Sequence, residues 1–150
     1  MTTLQGDYDP SPWEWVRDQV SEYEASGGQR ANTLRDTDMP IVVVTTRGAK
    51  SGKLRKNPVM RVEHGGEYAI VASKGGTPEN PAWFHNLEAH PDQVTLQDGP
   101  EPFAVTVREV TGDEKKKWWE RAVAAYPPYA EYQQNTNRQI PVFIAKPVGA

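Results

Sequence analysis

The 150-residue chain contains no cysteine. Disulfides, thiolate nucleophiles and Cys-ligated zinc or iron–sulfur centres are therefore excluded, and any redox chemistry must come from a bound cofactor. No apolar run approaches the roughly 18 residues a spanning helix requires, and mean hydropathy is -0.74. A transmembrane protein is not expected. The start MTTLQGDYDPSPWEW has neither a basic n-region nor an apolar h-region, so a cytoplasmic chain is expected. Histidine is also scarce. His85 and His90 are five apart, off the i, i+4 register that brings two imidazoles to one metal, and His64 sits at a turn. No metal site is expected, and neither a GxSxG elbow nor a Ser/His/Asp order appears. The length suits one core, so residues 1–150 are read as a single domain.

Charge is unevenly distributed. From Arg47 to Arg61 there are six basic residues and no acidic one, in a chain of net charge -3. Removing those six from the 17 basic residues leaves 11 against 20 acidic ones. The pattern is a local anion site on an acidic protein. Nucleic-acid binding is not expected, because it favours basic charge spread over a face and interleaved with aromatics.

The segment 12–26 reads as an amphipathic helix, with Ser11 able to cap it, Pro12 in the first turn, Trp13, Val16, Val20 and Tyr23 along its apolar stripe, and Gly27-Gly28 ending it. It either packs on the domain, closes over a ligand or touches a membrane surface peripherally; Glu14, Asp18, Glu22 and Glu24 weigh against the last. The β-branched run Ile41–Thr46 predicts a buried strand. Leu54–Glu63 and Glu67–Ser73 predict two more, forming a hairpin across His64-Gly65-Gly66. A helix over 80–90 faces Trp83, Leu87 and Phe84 inward, and strands follow at Val94–Gln97 and Phe103–Val110. Thr111 and Glu114 predict a capping box on a helix reaching Ala125. A short Tyr-rich helix and a last strand, Ile140–Ala145, complete the chain. Strands joined by hairpins rather than alternating with helices predict an α+β, mainly β fold: an antiparallel sheet or small barrel over about 40–146, with helices packed outside.

Three features carry chemistry. Gly48-Ala49-Lys50-Ser51-Gly52-Lys53 looks like a P-loop but fails as one, since three residues rather than four separate the glycines, Leu54 replaces the hydroxyl residue and Pro58 follows where a helix belongs. What survives is a cationic Gly-rich loop, either a solvated face or an anion cradle. Ala72-Ser73-Lys74-Gly75-Gly76 ends a strand in a hydroxyl, an ammonium and two glycines that permit close backbone approach. Tyr126, Tyr129 and Tyr132, spaced i, i+3, i+6, place phenols on one side of a short helix, suited to packing or to a cleft for planar molecules.

Together, IVVVTTRGAKSGKLRKNPVM, VASKGG, NPAWFHNL and YPPYAEYQ with TNRQIPVF resemble the deazaflavin-dependent nitroreductase family, the A branch of the reductases that use coenzyme F420. The resemblance spans about residues 12 to 146. It implies a split β-barrel like that of FMN-binding pyridoxamine-phosphate-oxidase relatives, and coenzyme F420, an 8-hydroxy-5-deazaflavin with a phosphate and an oligoglutamate tail, as cofactor. By that resemblance Lys50 and Arg55 bind the anionic tail, with Arg47, Ser51 and Lys53 in support. Ser73, Lys74, Gly75 and Trp83 line the cofactor pocket. Tyr126, Tyr129 and Tyr132 border the substrate space and orient substrate or pass a proton.

The implied activity is hydride transfer from the reduced cofactor to a small electron-poor acceptor: a quinone, an activated nitro compound, or a conjugated enone or lactone. A quinone acceptor would bring the protein to a membrane surface. The alternatives are a non-catalytic F420 carrier and an FMN-dependent, or haem-like ligand-binding, split barrel. Nothing in the sequence specifies an oligomeric state.

Overall fold

The computed structural model describes residues 4–34, 37–73 and 80–148. Among these, the elements run α1 (Glu14–Ala25), β1 (Ile41–Arg47), β2 (Leu54–Met60), β3 (Glu63–His64), β4 (Glu67–Val71), α2 (Ala82–Ala89), β5 (Val94–Gln97), β6 (Pro102–Glu109), α3 (Gly112–Ala125), α4 (Pro128–Gln134) and β7 (Val142–Pro147). No helix among the described residues is long and apolar enough to cross a membrane.

The strands form one sheet in the order β2-β1-β5-β6-β7-β4-β3, with every neighbouring pair antiparallel. β2 and β3 lie at opposite ends of that order, yet in the chain only Arg61 and Val62 separate them. Edge strands tied so closely require the sheet to curl until its edges meet. The Ala69 N–H donates to the Val62 carbonyl at 2.8 Å, carrying the β3–β4 pairing back into that two-residue link. This is the expected split barrel, and the closure hides edges that would otherwise be open to pairing.

One pairing differs from the sequence reading. Leu54–Glu63 does not form a hairpin with Glu67–Ser73; β2 pairs along its whole length with β1, from Arg47↔Leu54 to Ile41↔Met60. Only the two-residue β3 pairs with β4 across Gly65 and Gly66, whose φ values of 61° and 83° suit a tight primed turn. The chain breaks at Arg61-Val62 because it passes there from one edge of the sheet to the other.

Alternation along the strands fills two cores. Val42, Val44, Tyr68, Ile70, Val94, Leu96, Val105, Val107 and Phe143 meet inside the curl, where Phe84 and Leu87 of α2 join them. Their neighbours Ile41, Val43, Ala69, Val71, Val142 and Ile144 face outward and are covered by Val16, Val20 and Tyr23 of α1, Trp118 and Ala122 of α3, and Tyr129 of α4. Each buried Val or Ile side chain contributes roughly 1.5–3 kcal/mol, and because β1 is buried on both faces a one-residue slip would exchange its inner and outer rows and misfit both cores.

Helix ends show where local signals lose to tertiary ones. α1 begins at Glu14, later than expected, and no side chain caps it; Ser11 Oγ instead accepts the Trp13 N–H at 3.2 Å. Trp13 is not on the apolar stripe but 66% exposed. The end of α1 is as expected: the Gly28 N–H reaches the Tyr23 carbonyl at 2.8 Å and the Gly27 N–H the Glu24 carbonyl at 3.3 Å, a Schellman closure. At α3, Thr111 makes no side-chain capping bond, and the reciprocal half of the box is lost because the Glu114 carboxylate is held by Arg108 in a bidentate pair at 2.8 and 2.6 Å. A charge-assisted fork outcompetes a lone backbone N–H.

Candidate functional site

Antiparallel pairing sorts the loops between the two ends of the barrel. The β1–β2 turn, the exit of β4, the start of β5 and the start of β7 all fall at the same end. Three of the four sequence motifs meet there, with α2 lying across them.

The β1–β2 turn is a tight loop closed by Gly48 N–H to the Lys53 carbonyl at 2.7 Å and Gly52 N–H to the Gly48 carbonyl at 3.0 Å. Lys50, Ser51 and Lys53 are exposed, and neither lysine has an ion pair among the described residues. Ser51 Oγ accepts the Lys53 N–H at 3.1 Å, so it shapes the loop. Arg47 is a brace: its guanidinium donates to Gln93 Oε1 at 2.5 Å, the Gly52 carbonyl at 2.7 Å and the Gln5 carbonyl at 2.7 Å. Arg55 is half-buried beside Asp9, Nη1 to Oδ2 at 3.3 Å. Of five basic-loop candidates, then, Lys50 and Lys53 present open cations, Arg55 a shared one, and Arg47 and Ser51 are occupied in holding the loop.

The second motif exits β4 at Ser73, which is buried; Lys74 and Gly75 lie outside the described residues. Arg138, in the TNRQIP stretch, fastens this exit: it donates to the carbonyls of Ala72 at 3.1 Å and Ser73 at 2.6 Å, and to Asn80 Oδ1 at 2.9 Å. Trp83 of α2 is half-buried against the inner core. Asn86, one turn on, ties α2 to the basic loop, accepting the Ala49 N–H at 2.9 Å and donating to Thr46 Oγ1 at 3.1 Å. Sequence reasoning missed Arg138 and Asn86. Asn86 sits in the quoted NPAWFHNL string, and its signal is a polar residue one position before the inward Leu87. Arg138 is the cation of TNRQIP, but no spacing ties it to Ser73, 65 residues away.

The three tyrosines form one cluster. Tyr126 and Tyr132 share a hydrogen bond between hydroxyls at 2.9 Å, and the Tyr126 ring meets Tyr129 edge-on at 4.9 Å. Tyr129 is only 4% exposed and belongs to the outer core with Trp119 beside it. Burial raises its phenol well above the usual range. Burial and the bond to Tyr126 push Tyr132 up to about 12, so that phenol keeps its proton at neutral pH. α4 is joined to the Arg138 neck through Gln133, which donates to the Arg138 carbonyl at 2.8 Å and accepts the Ile140 N–H at 3.0 Å. No hydrogen bond joins the tyrosines to the basic loop among the described residues.

A separate hollow of about 230 Å³ lies at the opposite end, beside Tyr23, Asn32, Arg61 and Asp98. Its charged groups are satisfied internally: Asp98 Oδ2 accepts from Arg61 Nε at 2.9 Å and the Tyr68 hydroxyl at 2.6 Å. Among the described residues no group of metal-ligating side chains forms a site.

A curled antiparallel sheet with helices outside, a cationic turn and a capping helix at one end defines a split-barrel protein. Residues 15–147 match the family described as F420H(2)-dependent quinone reductase. An F420H(2)-dependent quinone reductase of Mycobacterium tuberculosis (strain ATCC 25618 / H37Rv) is 38% identical over 108 residues, 70% of this chain and 72% of that one. The solved structure of an F420-H2 dependent reductase (FDR-A) has TM-score 0.68 and 54% identity over 75% of this chain and 99% of its own. Another, described as a domain-swapped dimer, has TM-score 0.70 and 50% identity over 91% of this chain and 100% of its own. The chain belongs to the F420H(2)-dependent quinone reductase family: it is a reductase whose cofactor is coenzyme F420.

Proposed function

We propose that the exposed cations of the β1–β2 turn clamp the anionic tail of coenzyme F420 and that the acceptor is a quinone, with activated nitro compounds and conjugated enones or lactones as further acceptors. The observation that carries this reading is the acid-free turn itself, with Lys50 and Lys53 open to solvent and its backbone braced by Arg47 and Asn86. A braced cationic turn loses little entropy on taking up an anion. Its lysines stand on a fixed frame, open to a phosphate and glutamate carboxylates.

Reduced F420, when bound, supplies the hydride. The protein's part is to bind, orient and handle the proton. Lys50 and Arg55 hold the tail, Lys53 adds attraction at longer range, and Ser73 and Trp83, with Lys74 and Gly75, line the cofactor pocket. Arg138 and Asn86 fix the Ser73 exit and the basic turn relative to one another. Reducing a quinone by hydride also consumes a proton, and the Tyr126–Tyr132 phenol pair provides or relays it, recharging from water. Tyr129, buried beneath the pair, sets its geometry.

The test is a titration with oxidised F420, followed by reoxidation of the reduced cofactor with menadione, a nitroaromatic and a conjugated enone. Lys50→Ala and Arg55→Ala each weaken binding, by up to the roughly 1.5–3 kcal/mol of a charge-assisted contact. Unchanged affinity in both variants removes the clamp. Tight binding without accelerated reoxidation by any of the three acceptors would instead describe a carrier.

A further inference from the structure

β2 is an edge strand of the sheet, and the N-terminal segment lies along its start. Tyr8 bridges Leu54 in parallel, the Asp9 N–H donates to the Leu54 carbonyl at 2.9 Å, and the Leu54 N–H to the Asp7 carbonyl at 2.7 Å. The Arg47 guanidinium reaches the Gln5 carbonyl, and Lys56 Nζ stands 4.8 Å from the centre of the Tyr8 ring. The segment Gln5–Asp9 is thus built into the same turn that carries the cations. It brings a carboxylate with it: Asp9 pairs with Arg55, one of the two principal anion-binding candidates.

Two features separate this pair from ordinary edge cover. The segment is held by main-chain bonds, so the Asp9 carboxylate is not needed to keep it in place. The pair is also loose, at 3.3 Å with 34% and 43% of the two side chains exposed, which puts it among the ion pairs that contribute little to stability. A weak internal anion on a cation intended for an external one is a competitor that can be displaced.

We infer that Asp9 is a specificity-determining residue: its carboxylate occupies Arg55 in the free protein, and only a ligand bringing enough negative charge to the turn displaces it. The consequence is selection by charge. A tail of phosphate and several carboxylates engages Lys50, Lys53 and Arg55 together and outcompetes Asp9, whereas a ligand of low charge gains little from the displacement. This inference rests on the reading of the turn as the cofactor's anion clamp.

The experiment compares the full-length chain with Asp9→Asn and Asp9→Lys, titrating oxidised F420 bearing its glutamate tail, the deazaflavin riboside lacking phosphate and glutamates, and inorganic pyrophosphate. Asp9→Asn tightens tailed F420 and pyrophosphate about two- to five-fold, the range a partly exposed pair supports, and Asp9→Lys tightens them about ten-fold. The riboside is unaffected. Equal or weaker binding of tailed F420 and pyrophosphate by Asp9→Asn overturns the inference and makes Asp9 a support for Arg55. If the unmodified chain fails to bind tailed F420, the clamp reading falls on its own. The pyrophosphate arm still decides whether Asp9 competes at Arg55. Thermal melts confirm that both variants fold.

Discussion

Asn86 and Ala49 are joined by a single hydrogen bond of 2.9 Å, side-chain oxygen to backbone N–H, and through it α2 sets the position of the cationic turn. Its amide nitrogen meanwhile holds Thr46 Oγ1 at the end of β1. Asn86→Leu leaves the buried Thr46 hydroxyl without its partner, at a cost of about 1–3 kcal/mol. It also frees Ala49, so F420 affinity falls although no charge has been removed. Asn86→Asp keeps the acceptor for the Ala49 N–H but loses the donor to Thr46 and adds a negative charge beside the turn, so it restores stability only in part and affinity not at all. Chemical denaturation and cofactor titration on the two variants check this; full affinity in Asn86→Leu contradicts the bracing role.

Arg138 holds three acceptors that no shorter cation can span together. Arg138→Lys retains the charge but not the fork, so it weakens F420 binding and lowers the melting temperature nearly as much as Arg138→Met. The loss is about 1–3 kcal/mol in stability, as for charged hydrogen bonds removed from partly buried carbonyls. A lysine variant indistinguishable from the unmodified chain would show that charge alone matters at this neck.

How much of this was legible in advance varies by residue. The β-branched run Ile41–Thr46, the Gly65-Gly66 turn and the Gly27-Gly28 stop are local signals, and each appears where expected. Ser11, Thr111 and Trp13 carry equally local signals that fail: the Ser11 hydroxyl is taken by the Trp13 N–H two residues on, Arg108 takes the Glu114 carboxylate, and α1 starts only after the exposed Trp13. The misplaced hairpin has a topological cause. Sequence adjacency favoured β2 with β4, but curling sets β2 at one edge and β4 near the other. In the site, the cations of the turn are visible as composition. Asn86, Arg138 and Asp9 are not, because each acts across 37 to 66 residues of chain through a bond that only the closed barrel creates.

If the Tyr126–Tyr132 pair handles the proton, Tyr126→Phe and Tyr132→Phe each break the one hydroxyl–hydroxyl bond. The expected result is a fall in kcat of about 10²-fold or more, with F420 affinity changed less than two-fold, since general acid catalysis contributes on that scale. Tyr129→Phe leaves turnover within a few-fold. Unaltered kcat in the first two variants would leave the pair a packing feature.

The tyrosines also fix how stability responds to alkali. Burial is the leading cause of raised pKa values at Tyr8, Tyr23, Tyr68, Tyr129 and Tyr132. Below about pH 10 these phenols are protonated in both folded and unfolded chains and contribute no slope. Above it the unfolded chain ionises first and binds fewer protons, so stability falls as pH rises, until the folded phenols ionise as well. Denaturant melts between pH 9 and pH 11.5 should show that decline, and Tyr132→Phe should make it shallower. A slope unchanged by the substitution would mean Tyr132 is not shielded in the fold.

Among the described glycines, the closest backbone approach joins the end of α1 to the β5–β6 turn. A Cβ at Gly28 would lie 2.8 Å from Gly99 Cα, and the residue holds φ +79°. Both obstacles act on Gly28→Ala: the left-handed conformation costs about 1 kcal/mol for a residue with a side chain, and the contact is with backbone, which cannot rotate away. The same turn is pinned by Tyr23, whose hydroxyl donates to the Gln97 carbonyl at 3.1 Å and accepts the Gly99 N–H at 2.8 Å, so relieving the clash by moving the turn sacrifices those bonds. Gly28→Ala should therefore lose more than about 2 kcal/mol. Gly66→Ala is the control, with a similar φ of +83° but open space where its Cβ would stand, and it should lose only about 1 kcal/mol. Urea unfolding of both variants measures the difference; equal losses would mean that conformation alone, rather than the contact with Gly99, makes glycine necessary where α1 meets the barrel.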